Sequence, residues 1–404
     1  MTAKATAITG RGVVSSLGLD VAGFTSALFA GECAIDDISD LAPAIRIKYG
    51  APLRNFAALD HFDERTLAYL DRFTQFAAVA ARQAWRESGF SDAPPALDRV
   101  GVVIGTGVSG IDILDEGFRR FLSGQGRPRP LTVPMTMGSA PASRIAREFG
   151  IRGPTFGVTS ACASAAHAII IGNALIRSGL IDVAVVGGTD SCFCDGFLRA
   201  WDVLRVVSPD TCRPFSADRR GLIMGEGSAV MVLERAEHAA ARGRAPLARF
   251  LGGGMTSDAG DLLTPDSTGM TEAMRLALAD AGIDADAVDY INAHGTGTVA
   301  NDRTEAQAIN TLFGGRSTPI PVSSTKSMIG HAMGASGAIE AIATIAALRD
   351  GLLPPTVNFL RPDPECAVDA VPNVARPADI AVALSNSFAF GGLNVSLAFG
   401  RADA

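Results

Sequence analysis

The chain has 404 residues, 48% of them hydrophobic and 19% charged, so it can bury a large core as one large or two ordinary domains. Its formal net charge of −7 argues against nucleic acid, which rewards a basic footprint. No apolar run has the length of a membrane span, and six cysteines in a chain this long do not suggest a disulfide scaffold.

The opening Met1-Thr2-Ala3-Lys4 lacks a secretory pattern and leads into a strand, Ile8-Thr9-Gly10-Arg11-Gly12-Val13-Val14. A helical pattern over 73–88 stops at Gly89. The polar turn Phe90-Ser91-Asp92-Ala93 follows, then the buried-looking strand Val100-Gly101-Val102-Val103-Ile104. Gly105-Thr106-Gly107-Val108-Ser109-Gly110 fits the G-x-G-x-x-G dinucleotide fingerprint and precedes a possible helix. The pattern is short and common, and the first strand of the chain, where it usually sits, lacks it. Dinucleotide binding is therefore not expected.

Next comes Gly157-Val158-Thr159-Ser160-Ala161-Cys162-Ala163-Ser164-Ala165-Ala166-His167, an apolar strand end, a run of small residues and a helix reaching Arg177. Small residues permit a sharp turn and close approach of a substrate. Cys162 falls at or near the helix N-terminus, where the dipole and free N–H groups favour a thiolate and lower the pKa toward or below neutrality. The same N–H groups can stabilise an oxyanion. A buried, inert cysteine is the other reading of this segment alone. Cys192-Phe193-Cys194 has the wrong spacing for a CxxC zinc motif, and the sequence holds no second CxxC or HxxxH partner. Gly225-Glu226-Gly227 then leads into the strand Ser228-Ala229-Val230-Met231-Val232-Leu233.

The charged, Ala-rich stretch 234–246 marks the expected boundary between two α/β halves, 1–240 and 241–404, because the order of elements repeats after it. A helix over 271–281 stops at Gly282, and Ile283-Asp284-Ala285-Asp286 leads into Val288-Asp289-Tyr290-Ile291. Asn292-Ala293-His294-Gly295-Thr296-Gly297-Thr298 follows. Ser323-Ser324-Thr325-Lys326-Ser327-Met328-Ile329-Gly330-His331 precedes a small-residue helix over 332–347, as Cys162 precedes one in the first half. The longer interval in the first half predicts an insertion near 110–150. Two of only five histidines lie at strand ends among glycines and hydroxyl residues, which favours a site built from loops at one edge of a scaffold. Last comes Ser385-Asn386-Ser387-Phe388-Ala389-Phe390-Gly391-Gly392-Leu393-Asn394, two aromatics in a Gly-rich turn that can make a hinge with an apolar gate, or an ordinary turn between strands.

The ordered set of Cys162, HGTGT, KS-x-x-GH and NSF-x-FGG resembles the elongating β-ketoacyl-acyl carrier protein synthases of the condensing-enzyme family, within the thiolase superfamily. The resemblance covers nearly the whole chain. It implies a duplicated five-layered αβαβα sandwich with mixed sheets, a homodimer, a cytoplasmic enzyme and no cofactor. It also implies a reaction. Cys162 takes an acyl group from a carrier thioester, and malonyl-acyl carrier protein loses CO2 and attacks the acyl-cysteine. His294 and His331 are the implied donors to the enolate oxygen, and Lys326 and Glu340 a buried pair near them. Phe390 matches the gating phenylalanine, whose N–H joins that of Cys162 in an oxyanion hole, with Phe388 beside it. Thr296 and Thr298 match pantetheine contacts. Val108, Phe193 and Phe197 are expected at the acyl pocket, and Asn394 at the substrate. Many relatives carry a structural monovalent cation, for which Asn292, Glu340, Ser385 and Asn386 are the surroundings here.

Acyl carrier proteins are typically acidic, so docking on this acidic chain needs a local basic patch. The candidates are Arg65, Arg72, Arg119, Arg120, Arg127, Arg129, Arg199 and Arg205. Two departures stand out. Ala389 replaces the middle glycine of the Phe-Gly-Phe turn, where positive φ becomes costly, and Leu393 replaces a threonine. Arg199-Ala200-Trp201-Asp202-Val203-Leu204-Arg205 with Cys212-Arg213-Pro214-Phe215 looks more like specialised synthases, including rhizobial nodulation-type ones. Two alternatives stay open. A thiolase needs a second cysteine in a Cys-x-Gly context, which Cys366 lacks. A non-catalytic partner subunit typically loses the nucleophile, which this chain keeps.

Overall fold

The computed structural model describes residues 6–41 and 45–403; the opening Met1–Lys4 lie outside them. The main strands are β1 (Thr6–Ser15), β2 (Val100–Gly105), β3 (Thr155–Val158), β4 (Val183–Asp190), β5 (Gly227–Arg235), β6 (Ala248–Ser257), β7 (Tyr290–Asn292), β8 (Val322–Ser323), β9 (Val382–Ala389) and β10 (Leu393–Gly400). They run β8-β7-β9-β10-β6-β1-β5-β4-β2-β3 across the sheet. Outward from β1, the pairings read antiparallel, antiparallel, parallel, parallel. Outward from β6 they read the same. Each half is therefore one five-stranded mixed unit built to one plan, and the two join through the short pairing of Thr6–Ile8 with Ala248–Phe250.

The helices packed on these strands are α1 (Arg72–Glu87), α2 (Ile111–Leu122), α3 (Ala140–Phe149), α4 (Ser164–Arg177), α5 (Asp195–Leu204), α6 (Ser267–Ala281), α7 (Val299–Phe313) and α8 (Ser336–Asp350). α1 and α3 cover one outer face, α6 and α7 the other, and α4 and α8 lie between the two five-stranded units. That gives the five layers. α1 is started by Asp71, whose carboxylate accepts from the Phe73 N–H, and it buries Phe73, Phe76, Ala77, Ala80 and Ala84. Gly10 and Gly12 allow it to lie close to β1, since a Cβ at either would overlap the carbonyls of Ala84 or Ala80. α8 has no polar face: every residue from Ser336 to Leu348 is buried, as a central layer requires. Its alanines and glycine allow α4 to pack against it.

Both central helices begin later than their sequence patterns suggest, and for the same reason. Ala161 and Met333 sit in the left-handed region, with φ of 49° and 47°, so the chain turns before each helix. α4 then starts at Ser164 and α8 at Ser336, rather than near 332. The G-x-G-x-x-G loop is filled by the protein itself. A Cβ on Gly105 would overlap the Ser164–Ala165 backbone, and one on Gly110 would lie 2.6 Å from Thr136 Cα. Buried Asp190 ties the loop down, accepting from Thr106 Oγ1 (2.6 Å), Gly107 N (2.7 Å), Val108 N (3.1 Å) and Gly334 N (2.6 Å). Its glycines serve packing and leave no cradle for a pyrophosphate. Among the described residues, no helix is long and apolar enough to cross a membrane.

Candidate active site

A cleft of about 810 Å³, part of it open to solvent, ends on Cys162, His294 and His331. Each motif enters from a different strand end. Cys162 follows β3, on the turn strained at Ala161. Ser164 braces that turn: its Oγ accepts from Ser160 N (2.9 Å) and donates to Ala161 O (2.6 Å). His294 follows β7 and His331 follows β8. The cysteine sulfur and one nitrogen of each imidazole lie within 4.8 Å of one another. The two imidazoles meet edge to face, their centroids 5.4 Å apart.

The electrostatics correct one expectation. Cys162 is not held as a low-pKa thiolate. Burial pushes its thiol up to about 11, against the pull of Lys326 and of the backbone N–H groups of Phe390 and Cys162 itself. The protein at rest therefore carries a neutral thiol with two N–H donors and a cation close by. Burial and the charge of Lys326 also drive both imidazoles well below the ordinary histidine value, so both are neutral at physiological pH. Lys326 is buried beneath them. Its Nζ donates to His294 O (2.6 Å) and His294 Nδ1 (3.3 Å) and pairs with Glu340. A donor on Nδ1 leaves the His294 proton on Nε2. His331 Nδ1 contacts Ser336 Oγ (2.8 Å), while its buried Nε2 has no protein partner. Cys162, His294 and His331 have a spacing that also suits a metal ion. The Lys326 charge against His294 opposes a second cation there.

Glu305, on α7, is a residue that sequence reasoning missed. Its carboxylate accepts from the backbone N–H of His294 (2.8 Å) and of Gly295 (2.7 Å), and so sets the histidine loop. Burial raises it to about 7. Glu305→Ala strips two buried N–H groups of their acceptor, at about 1–3 kcal/mol each. The variant should unfold at clearly lower denaturant and lose activity more than tenfold, with Glu305→Gln intermediate. Equal midpoints for the parent and Glu305→Ala in urea titration would contradict this.

Thr296, Thr298, Phe388, Phe390 and Asn394 line the cleft as expected. The hydroxyls of Thr296 and Thr298 lie 2.9 Å apart. Val108 and Phe197 do not line it; like Phe193 and Phe390 they pack against an apolar cluster that includes Ile38, Met224 and Met333. A second loop, also missed, closes the front. Asn394 Nδ2 donates to Asp258 (2.6 Å), Asp258 N to Gly392 O (2.9 Å), and Gly391 N to Leu262 O (2.8 Å).

Ala389 is a second correction. It ends β9, paired with Leu393, and the positive φ values of the turn fall on Gly391 (83°) and Gly392 (69°). The alanine costs nothing here. Ala389→Gly should then change acyl loading less than twofold, whereas Gly392→Ala, whose Cβ would come 2.6 Å from Asp258 Cβ, should slow it more than tenfold. Faster loading in Ala389→Gly, by stopped flow, would show that the alanine restrains the turn.

At the expected cation surroundings, the Asn292 amide, Ser385 Oγ and Glu340 Oε2 are buried without a protein hydrogen-bond partner, and Asn292 and Ser385 are opposed in the β7–β9 pairing. Such orphaned oxygens fit a small monovalent cation. Asn386 faces the other side of its strand, where its Nδ2 reaches Glu305 (3.4 Å) and its Oδ1 accepts from Ser396 Oγ (2.9 Å). Cys366 is buried and does not line the cleft, so the second cysteine that a thiolase needs is lacking among the lining residues.

Of the candidate docking arginines, Arg72 is withdrawn into a pair with Glu226. Arg119 pairs with Asp115, Arg120 and Arg129 with Glu116, and Arg199 with Asp195. Arg205 follows Leu204 of the cleft wall.

The chain matches the family description "Beta-ketoacyl synthase, N-terminal domain" over residues 3–239 and "Beta-ketoacyl synthase, C-terminal domain" over 247–360. It is 45% identical over 395 residues to Nodulation protein E of Rhizobium sp. (strain N33), covering 97% of this chain and 98% of that protein. It is 36% identical over 411 residues to 3-oxoacyl-[acyl-carrier-protein] synthase 2 of Staphylococcus aureus (strain COL), covering 99% of each. Among solved structures, the ishigamide ketosynthase/chain length factor superposes with a TM-score of 0.94 at 33% identity, over 99% of this chain and 100% of that one.

Proposed function

The chain belongs to the β-ketoacyl synthase family, and from that premise we propose a role for each group at the end of the cleft. The enzyme is an acyltransferase that condenses an acyl group with malonyl-acyl carrier protein to give a 3-oxoacyl product. The convergence of one cysteine sulfur and two neutral imidazoles within 4.8 Å carries the reading of the site.

Cys162 is the nucleophile. The sulfur forms the new S–C bond as the carrier S–C bond breaks, and the proton lost from Cys162 ends on the departing carrier sulfur, which leaves as a thiol. The N–H groups of Cys162 and Phe390 hold the oxyanion of that step. With malonyl-carrier in the cleft, His294 and His331 donate from Nε2 to the thioester oxygen. The C–C bond to the leaving CO2 breaks and its electron pair passes into the enolate. Neutral imidazoles suit this task, because each carries a proton to donate without a charge to desolvate. The enolate carbon attacks the acyl carbonyl, and the Cys162 sulfur leaves. Lys326 holds the His294 tautomer, and Glu340 balances Lys326. Thr296, Thr298 and Asn394 line the path of the pantetheine arm, and Phe390 gates the way past Cys162. A monovalent cation at Asn292, Ser385 and Glu340 is structural.

The chain divides at about 240 into halves that contribute the cysteine and the two histidines respectively. It acts in the cytoplasm as a homodimer. In support, β3 is the outermost strand of the sheet, and exposed Phe118, Phe121 and Val133 lie on the neighbouring 111–137 segment. The similarity to Nodulation protein E supports a specialised acyl product over housekeeping fatty acids. The test is intact-mass spectrometry of the enzyme with acyl carriers of graded length, followed by malonyl-carrier. Acylation confined to Cys162 and its discharge on condensation are the expected results; a stable acyl group on another residue overturns the assignment.

A further inference from the structure

Trp201 sits on α5, one helical turn after Leu198, and both point inward. It is 7% exposed, yet it lines the cleft together with Cys162 and Phe390. Its ring lies 6.1 Å from that of Phe390 with the planes 25° apart, and 6.1 Å from that of Phe197 at 79°. The three rings form a continuous row from the cleft into the apolar cluster of Val108, Phe193 and Met333. The two ends of the Trp201–Phe390 stack differ in kind. Trp201 is carried by a helix. Phe390 is carried by a turn that runs into two left-handed glycines. A long acyl chain loaded onto Cys162 and reaching into the cluster must move Phe390, and so must break the stack. A short one need not reach it.

We infer that Trp201 is the latch of the gate: its stack on Phe390 holds the turn closed and sets how fast, and for which chain lengths, acyl groups load onto Cys162. This rests on Phe390 being the gate, as proposed above. It makes Trp201 a positioning residue that acts through Phe390.

Removing the stack lowers the barrier to opening by one aromatic pair. Trp201→Ala should load long acyl groups about 2- to 10-fold faster than the parent, and short ones with little change. Trp201→Phe keeps a ring in place and should stay within about twofold of the parent. The sign of the effect is diagnostic, because damage to the fold slows loading and does not speed it. A second readout leaves Trp201 intact. The chain holds two tryptophans, and the other, Trp85, stacks on Phe149 within the core of the first half. In Trp85→Phe, Trp201 is the one remaining indole, and its fluorescence should change when a long acyl group loads. Unchanged fluorescence on loading overturns the latch, as does a Trp201→Ala enzyme that loads long chains no faster than the parent. Phe390→Ala, which keeps the backbone N–H, separates the two readings. If it speeds long-chain loading and Trp201→Ala does not, the latch alone is wrong. If neither does, the gate itself is misassigned, and the latch falls with it.

Discussion

Cys162→Ala is expected to abolish condensation, because no other group at the end of the cleft can hold the acyl chain. The protein should still fold, since the side chain removed is small and the turn is braced by Ser164 rather than by the sulfur. The chemistry of labelling follows from the burial of the thiol. With its pKa pushed up to about 11, the thiolate fraction of Cys162 grows about tenfold for each pH unit below that value. Alkylation by iodoacetamide should therefore rise about 100-fold between pH 7 and pH 9. At pH 7 the exposed Cys33 should react before it. Peptide mapping after graded alkylation checks both statements. Retained condensation in the alanine variant, or a Cys162 labelling rate flat from pH 7 to 9, would be the contrary result.

His294→Ala and His331→Ala should each lose malonyl decarboxylation by roughly 100-fold or more, through the loss of one donor to the enolate oxygen. At least one should keep measurable self-acylation of Cys162, because that step draws on the N–H groups of Cys162 and Phe390. The pH dependence has a definite sign. Both imidazoles are held well below the usual histidine value, so they are neutral above it and protonate only in acid. Decarboxylation should then show no inflection from these groups between pH 6 and 8. Release of CO2 from malonyl-carrier measures the rate. Parental rates in both variants would mean that the pair is wrongly placed, and an inflection near pH 6.5 that vanishes in one of them would mean that its imidazole is not held neutral.

The candidate site was legible in the sequence where it is carried by short segments in a fixed order. Cys162, His294 and His331 each stand at the end of an apolar run and before a helix, and that local pattern is enough to aim them at one edge of the sheets. The duplication was legible for the same reason: a glycine stop, a polar turn and a buried strand recur in each half, and hydrophobic periodicity is a local property. What stayed hidden depends on groups far apart in the chain. Glu305 reaches back to the His294 loop, Asp258 reaches forward to the turn that carries Phe390, and Trp201 stacks on Phe390. No spacing rule connects them.

The sequence by itself determined which groups are the candidates to react, in what order they occur, and that two like halves present them. Only the tertiary structure decided their state. Burial, which is a sum over all neighbours, turns the expected thiolate of Cys162 into a thiol and holds both histidines neutral. The pairing of Ala389 with Leu393 keeps the alanine in a strand, so the departure from the family's glycine costs nothing at rest. A helix start lowers a thiol pKa only as far as the surrounding medium allows, and the medium is supplied by residues that the local sequence does not contain.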